Sequence, residues 1–232
     1  LEKIKDIAMT TNGALLEKMA VPLRKSGLHR VNISLDTLNE KKFRDVTRTG
    51  ELSEVIRGVE AAKNAGLGVK FNVVLMKDFN DDEIMDLIEL TRIYDADVRF
   101  IELMPIGENQ GYAKANFMAC EEILKVAELR PVESDDPHAP TRYYRYGNAK
   151  GRVGFITALS SHFCGDCNRI RLTSDGKLKP CLHSNQEIDL RSAIRRSEDL
   201  GEIISAAIKS KPEKHYLSEN RIIDRGMSRI GG

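Results

Sequence analysis

Residues 1–110 alternate short β-branched runs with longer segments whose apolar residues recur at helical spacing. This alternation constrains the fold more than any other feature. Strands separated by helix-length segments pair in parallel, with the helices crossing over the sheet. Residues 5–11 read as a first strand, broken at Asn12 and Gly13, and 15–24 as a helix. Residues 30–35 (RVNISL) form a second strand. Residues 53–65 place Val55, Ile56, Val59 and Ala62 on one helical face, with Gly66 as C-cap. Residues 69–75 (VKFNVVL) make a third strand. Residues 80–83 (NDDE) read as a capping box opening a helix with Ile84, Leu87 and Ile88 inward. Residues 98–103 (VRFIEL) make a fourth strand, ended by Pro105 and Gly107. The class expected is α/β: a partial, open parallel α/β barrel over 1–110. Its ligands would gather at the C-terminal strand ends: Thr10 to Gly13, Ser34 to Asp36, Asn72 to Val74 and Glu102 to Pro105. Strand-to-helix turn chemistry would place the same residue types there.

The texture changes after residue 110, and a second region over 111–232, of α+β character, is expected. Residues 143–146 and 153–156 suggest an antiparallel pair. Residues 169–173 and 177–181 flank Ser174-Asp175-Gly176, a hairpin turn. Leu200, Ile203, Ile204, Ala207 and Ile208 mark a late amphipathic helix.

The chain has 36 Lys and Arg against 35 Asp and Glu, a balance that argues against a general nucleic-acid binder. The charge is segregated. Residues 81–102 hold eight acids and two bases, whereas residues 142–195 hold ten bases and four acids. The basic half is suited to an anionic ligand, and equally to a solvated face. No apolar run reaches membrane-spanning length, and the N-terminus is no signal peptide. A cytoplasmic location is expected. The chain opens on Leu1, not an initiator Met, and reads as starting within a longer protein.

Three of the four cysteines crowd together as Cys164, Cys167 and Cys181, and Cys120 stands apart, read as a small hydrophobe near a helix start. Such clustering of thiols points to metal or redox chemistry. With His183 as fourth ligand, the three thiolates would make a closed structural zinc site. Without it, they could hold three irons of a [4Fe-4S] cluster and leave the fourth iron open. Spacing alone leaves both open. Arg169 and Arg171, two apart on an expected strand, would project together from one face, with Ile170 and Leu172 packed on the other. Paired guanidiniums beside a metal suit phosphate.

At these residues the sequence resembles the GTP 3′,8-cyclase family of molybdenum cofactor biosynthesis. The stretch FCGDCNRIRLTSDGKLKPCL looks like that family's C-terminal [4Fe-4S] motif. The segments TTNG from Thr10, NISLD from Asn32, VKFNVV from Val69, RFIELMP from Arg99 and the terminal Gly231-Gly232 match in family order. The resemblance implies a radical S-adenosylmethionine lyase. In that family the 5′-deoxyadenosyl radical takes a ribose hydrogen from GTP, and the sugar radical closes onto guanine C8. The product is (8S)-3′,8-cyclo-7,8-dihydroguanosine 5′-triphosphate. It also implies that Cys164, Cys167 and Cys181 hold an auxiliary [4Fe-4S] cluster whose open iron binds guanine. Thr10, Lys70, Arg169, Ile170 and Arg171 would contact GTP, and Ser34 and Met104 S-adenosylmethionine. The functional partner implied is the next enzyme, cyclic pyranopterin monophosphate synthase, and a homodimer is left open. Gly231-Gly232 becomes a tail reaching into the active site.

The family's radical-generating [4Fe-4S] cluster sits on an N-terminal CxxxCxxC motif, which these 232 residues lack. The chain therefore looks N-terminally incomplete, without the first two β/α units. By itself it is expected not to cleave S-adenosylmethionine. Two rival readings are a zinc-binding structural module and another radical S-adenosylmethionine enzyme with an auxiliary cluster, such as a peptide-modifying maturase. The arginine pair and the Gly-Gly tail argue against the maturase.

Overall fold

The computed structural model describes residues 4–106, 110–136, 138–161 and 164–212, together with 223, 226 and 230. Gly107, His162, Phe163 and Gly231-Gly232 lie outside these residues.

The first half builds β1 (Ala8–Thr11), α1 (Leu16–Lys25), β2 (Arg30–Ser34), α2 (Glu40–Thr47), α3 (Leu52–Asn64), β3 (Gly68–Leu75), α4 (Ile84–Ile93) and β4 (Asp97–Glu102). Then come α5 (Gln110–Ala115), α6 (Ile123–Val126), β5 (Leu129–Val132), β6 (Arg142–Tyr146) and β7 (Val153–Ile156). One seven-stranded sheet runs in the order β1-β2-β3-β4-β7-β6-β5. The pairings from β1 through β4 to β7 are parallel, and those of β7 with β6 and β6 with β5 are antiparallel. This mostly parallel sheet with crossover helices is the partial, open α/β barrel that the alternation implies.

Strand alternation decides what each sheet face carries. On β2, β3 and β4 the residues Val31, Ile33, Val69, Phe71, Val73, Leu75, Val98 and Phe100 are buried in one apolar core with Leu16, Ala20, Val55, Val59, Ala62, Leu87 and Ile88 of the helices. Most alternate positions are polar, with Arg30, Asn32, Ser34, Lys70, Asn72, Asp97 and Arg99 on the opposite face beside Val74 and Ile101. Burying a large apolar side chain contributes about 1.5–3 kcal/mol, so a one-residue slip of any central strand is strongly disfavoured.

The chain divides into two compact units. Residues 1–103, 117–135 and 141–156 form the first, and residues 104–116, 136–140 and 157–232 the second. The division expected near residue 110 thus takes another form. The strands at 142–156 belong to the main sheet, because β7 takes the parallel place beside β4 and draws β6 and β5 with it. The second unit contains β8 (Arg171–Leu172), β9 (Lys177–Lys179), β10 (Ile188–Asp189), α7 (Leu190–Arg195) and α8 (Leu200–Lys209). Its three strands pair antiparallel in the order β10-β9-β8. Leu178, Leu190 and Ala207, with Leu200, Ile203 and Ile204, form its small core.

Two local readings need correction. Residues 80–83 are not a capping box. The Asn80 side chain is spent on the backbone, donating to Asp36 O at 2.7 Å and Val74 O at 2.9 Å and accepting from Met76 N. Glu83 reaches the entry of α2, accepting from Thr37 Oγ1, Leu38 N and Lys42 Nζ. The second correction concerns the arginines. Strand β8 begins at Arg171, so Arg169 is not its strand neighbour. Ile170 and Leu172 are exposed rather than packed.

Candidate active site

In the first unit, strand register sets out the polar face in rows. Thr10 pairs with Asn32, Asn32 with Lys70, and Lys70 with Asp97. One step toward the C-terminal strand ends, Ser34 pairs with Asn72, Asn72 with Arg99, and Arg99 with Gly154. Thr10 and Lys70 therefore share a row, with Ser34 in the next.

Hydrogen bonds stitch the rows together. Asn32 Oδ1 accepts from Arg30 Nη1 at 2.7 Å and from Arg99 Nη2 at 2.8 Å. Arg99 Nε donates to Asn72 Oδ1 at 2.9 Å. Asn32 Nδ2 reaches Thr10 Oγ1 at 3.4 Å. Gly154 leaves space for this packing, since a Cβ there would stand 2.6 Å from Thr141 Cγ2 and 3.0 Å from Arg99 Cγ.

At the end of the first row Asp97 holds two cations. Lys70 Nζ lies 2.9 Å from Asp97 Oδ2. Arg152 grips the same carboxylate through Nε at 3.2 Å and Nη2 at 3.0 Å. Burial pushes the Asp97 carboxyl up, but Arg152 and Lys70 outweigh it and hold it below the usual carboxylate range. Buried Tyr143 lies under both cations, with the Arg152 guanidinium 4.1 Å and Lys70 Nζ 5.6 Å from the ring centroid.

The β2 end that carries Ser34 is fixed separately. Asp36 Oδ1 accepts from Val74 N at 2.8 Å, and Asn80 bridges Asp36 O and Val74 O. Burial raises the Asp36 carboxyl, opposed by that Val74 N–H. Cys120, also in this unit, is fully buried in the apolar core, its thiol 3.5 Å from Phe100 O. Burial, with Glu102 and Glu121, pushes that thiol upward, so it behaves as a core residue.

The second unit carries the other candidate residues. Cys164 opens a single 3₁₀ turn, Cys164–Asp166, and Cys167 N donates back to Cys164 O at 3.2 Å. The chain passes Arg169 and enters β8 at Arg171. It turns at Thr173 to Gly176, where Gly176 has φ +82°. The Thr173 side chain clamps the turn through Asp175 Oδ1 and Lys177 N. β9 then returns to Cys181, with Arg171 registered against Lys179.

The three thiols are close enough for their charges to act on one another. Burial raises the Cys181 thiol, and Cys164 and Cys167 add to this by charge, while the His183 backbone N–H and Lys211 oppose it. Arg171 is half-buried and lowered by burial, with Cys167 and Cys181 opposing that shift. Arg169 is exposed, 3.5 Å from Asp136, yet close enough to Arg171 for the two charges to repel. Among the described residues no three His, Cys, Asp or Glu side chains are grouped so that they could hold a metal ion. His183 turns its Nε2 to Met104 Sδ, 3.0 Å away. That contact engages one ring nitrogen of His183.

Several residues here escape motif reading. Asp97 and Arg99 are legible only in part: the largely polar alternation on β2 to β4 marks a polar face but not the ion pairs across it, and Arg152 lies outside these strands. Lys179 is wholly buried, donating to Ser184 O, with Glu187 3.8 Å away. Lys211 contacts the cysteine turn from 44 residues away in sequence. No local signal marks either lysine.

Two family models match successive stretches of the chain. The Radical SAM superfamily model matches residues 1–91, and the Molybdenum Cofactor Synthesis C model matches residues 96–217. A GTP 3′,8-cyclase of Alkaliphilus oremlandii is 52% identical over 237 residues, covering 100% of this chain and 74% of the relative. That of Alkaliphilus metalliredigens is 52% identical, covering 99% and 73%. That of Peptoclostridium acidaminophilum is 47% identical, covering 100% and 72%. No helix among the described residues is long and apolar enough to cross a membrane. The chain belongs to the GTP 3′,8-cyclase family, radical S-adenosylmethionine enzymes of molybdenum cofactor biosynthesis.

Proposed function

We propose that the intact protein converts GTP into (8S)-3′,8-cyclo-7,8-dihydroguanosine 5′-triphosphate, the first step of molybdenum cofactor biosynthesis. Iron–sulfur and S-adenosylmethionine chemistry belong to this family as a whole. The observation that carries the residue assignment is the pairing of two different polar sites in one chain. One is a hydrogen-bonded polar sheet face, and the other is a three-thiol turn flanked by arginines.

Thr10 and Lys70 take the GTP role in the first unit, and their shared row fixes their spacing through the β-ladder. Asp97 keeps the Lys70 ammonium in place. Ser34, on the strand end held by the Asp36 and Asn80 bonds, takes the S-adenosylmethionine role in the first unit, and the family likeness gives Met104 that role in the second. In the second unit Arg169, Ile170 and Arg171 take the GTP role. Arg171 is the stronger anchor, because a half-buried guanidinium interacts across a lower dielectric than an exposed one. Ile170, exposed on the turn, offers an apolar surface and its backbone.

Cys164, Cys167 and Cys181 would hold an auxiliary [4Fe-4S] cluster, and the donor set fits three of its irons. When bound, that group supplies an open iron able to hold the nucleobase. Fixing the base orients the ribose, which is where positioning lowers the barrier. The contact of His183 with Met104 supports this reading over a structural zinc site needing a fourth ligand. The radical-generating cluster would be held by cysteines outside these 232 residues. The product would pass to cyclic pyranopterin monophosphate synthase, and a homodimer fits this scheme.

The test uses the intact enzyme, purified anaerobically, with GTP deuterated at C3′, S-adenosylmethionine and a reductant. Deuterium should appear in 5′-deoxyadenosine. Cleavage of S-adenosylmethionine without label transfer overturns the proposal. Zinc in place of iron and sulfide at the three thiols, after anaerobic iron reconstitution, overturns the cluster assignment.

A further inference from the structure

Helix α8 ends against the cysteine turn of its own unit. Ala207, Leu200, Ile203 and Ile204 pin α8 to the small core. Its end is closed by Ser210 N to Ala206 O at 3.0 Å and Lys211 N to Ile208 O at 3.2 Å. Ser210 Oγ donates to Ala207 O and accepts from Gln186 Nε2, fixing the helix end to the loop after Cys181. This rigid end delivers Lys211.

The Lys211 ammonium has three protons, and three acceptors lie within reach. Nζ is 2.5 Å from Cys167 O, 2.9 Å from Arg169 O and 3.3 Å from Cys167 Sγ. The two carbonyls bracket the segment that leads from the second cysteine into the arginines. One cation therefore fixes the path of the chain between the thiol pair and the GTP arginines, and also donates to a thiol.

Hydrogen bonds to ligand sulfurs and local net charge set the potential of an iron–sulfur cluster. A cation draws electron density from a thiolate and favours the reduced, more negative form. Outer-shell partners of this kind orient the ligands as well. Three thiolates and a triphosphate substrate concentrate negative charge in this site. Lys211 offsets it without occupying a ligand position.

Resting on the cluster assignment above, we infer that Lys211 is the positioning residue of the auxiliary cluster. It holds the Cys167–Arg169 turn in place and raises the cluster's reduction potential through its hydrogen bond to Cys167 Sγ.

The test is made in the intact enzyme, anaerobically reconstituted, comparing wild type with Lys211→Met and Lys211→Arg. Iron and sulfide are measured per chain. The auxiliary signal is identified as the electron paramagnetic resonance signal lost in Cys181→Ala, and its potential is read by poised reduction without substrate. Lys211→Met should keep its iron yet shift the reduction equilibrium about tenfold toward the oxidised form, about 59 mV for one electron. Lys211→Arg should recover most of that shift. If Lys211→Met instead loses the cluster while Lys211→Arg keeps it, the positioning role stands on iron content. An unchanged potential in an intact Lys211→Met cluster overturns the inference. So does equal iron loss in both variants with lowered melting temperature, which would make Lys211 a folding residue. If wild type shows no signal dependent on Cys181, the cluster assignment itself fails, a different result from any of these.

Discussion

The two units hold functional side chains by opposite means. In the first, the candidate residues sit on strands of four to eight residues, and register alone lines up Thr10, Lys70 and Ser34. Side-chain contacts then lock Thr10 to Asn32 and Lys70 to Asp97. In the second, the cysteines and arginines sit on a 3₁₀ turn, a two-residue strand and a loop. A long backbone ladder needs no ligand to keep its geometry. A turn held by one lysine and a few thiols gains much of its order from what it binds, because metal binding free energy is also folding free energy. The contrast predicts that damage to the second unit shows first as lost cofactor, and damage to the first as lost stability.

The largest effect expected is at the thiols. Cys181→Ala should lose the iron of the auxiliary cluster, whereas His183→Ala should leave iron content intact. Iron and sulfide analysis checks both, and loss of metal in His183→Ala would collapse the contrast into a zinc site. Next comes Asp97→Asn, which takes the paired carboxylate from Lys70 and leaves Arg152 with the exposed Asp135 alone. Breaking a largely buried pair costs about 3–5 kcal/mol. The low end is expected here, read as a lower urea midpoint with iron at the Cys181 site unchanged.

Arg171→Ala removes a charge-assisted bond of about 1.5–3 kcal/mol. GTP binding to the intact enzyme should weaken roughly ten- to a hundredfold. Arg169→Ala should weaken it less, since Arg169 is exposed and shared with Asp136. Calorimetric Kd values for the two variants decide the order, and an unchanged Kd in the double variant removes both from the site. Gly154→Ala pushes a methyl into Thr141 and Arg99. Overpacking costs about 1–3 kcal/mol, and it should lower the melting temperature of the first unit without touching the cluster.

The smallest effect is acid dependence. Asp97 is held below the ordinary carboxylate range in the folded protein. Its stabilisation is therefore complete above the unfolded value of about 3.9 and is lost as pH falls through the lower folded value. The stability gap between wild type and Asp97→Asn should be flat at neutral pH and shrink below about pH 4. A gap that instead widened with acid would contradict the assigned ion pair.

How much of this was legible in the sequence follows the same contrast. Periodicity marked β2 to β4, α1 and α3, because each writes its burial into neighbouring residues, and turn chemistry marked the hairpin around Gly176. Helix α2 went unread: only Phe43 of its eight residues is buried, so it has almost no apolar stripe. Asn80 and Glu83 misled because their side chains satisfy groups on other elements, where a local motif reading assigned them to their own helix. The arginine pair misled because β8 starts two residues later than the alternation suggested. Lys211 and the Asp97–Arg152 pair were invisible, since ion pairs between distant segments leave no pattern in either segment. Family resemblance supplied the assignments of Thr10, Ser34, Lys70 and Met104, which spacing could not.

The place of β7 beside β4 also sets an order of events in time. The Arg152 side chain reaches Asp97 across a sequence separation of 55 residues. Closing so long a loop must precede any reward from the contacts it permits. The β1–β4 ladder has shorter closures and can assemble while residues 142–156 are still searching. Substitutions at the Asp97–Arg152 clasp should then speed unfolding far more than they slow folding. Rapid-mixing kinetics on Asp97→Asn would show this as a change confined to the unfolding limb. Strand β7, last of the seven in chain order, is thus a latch, closed late and setting how long the native state persists.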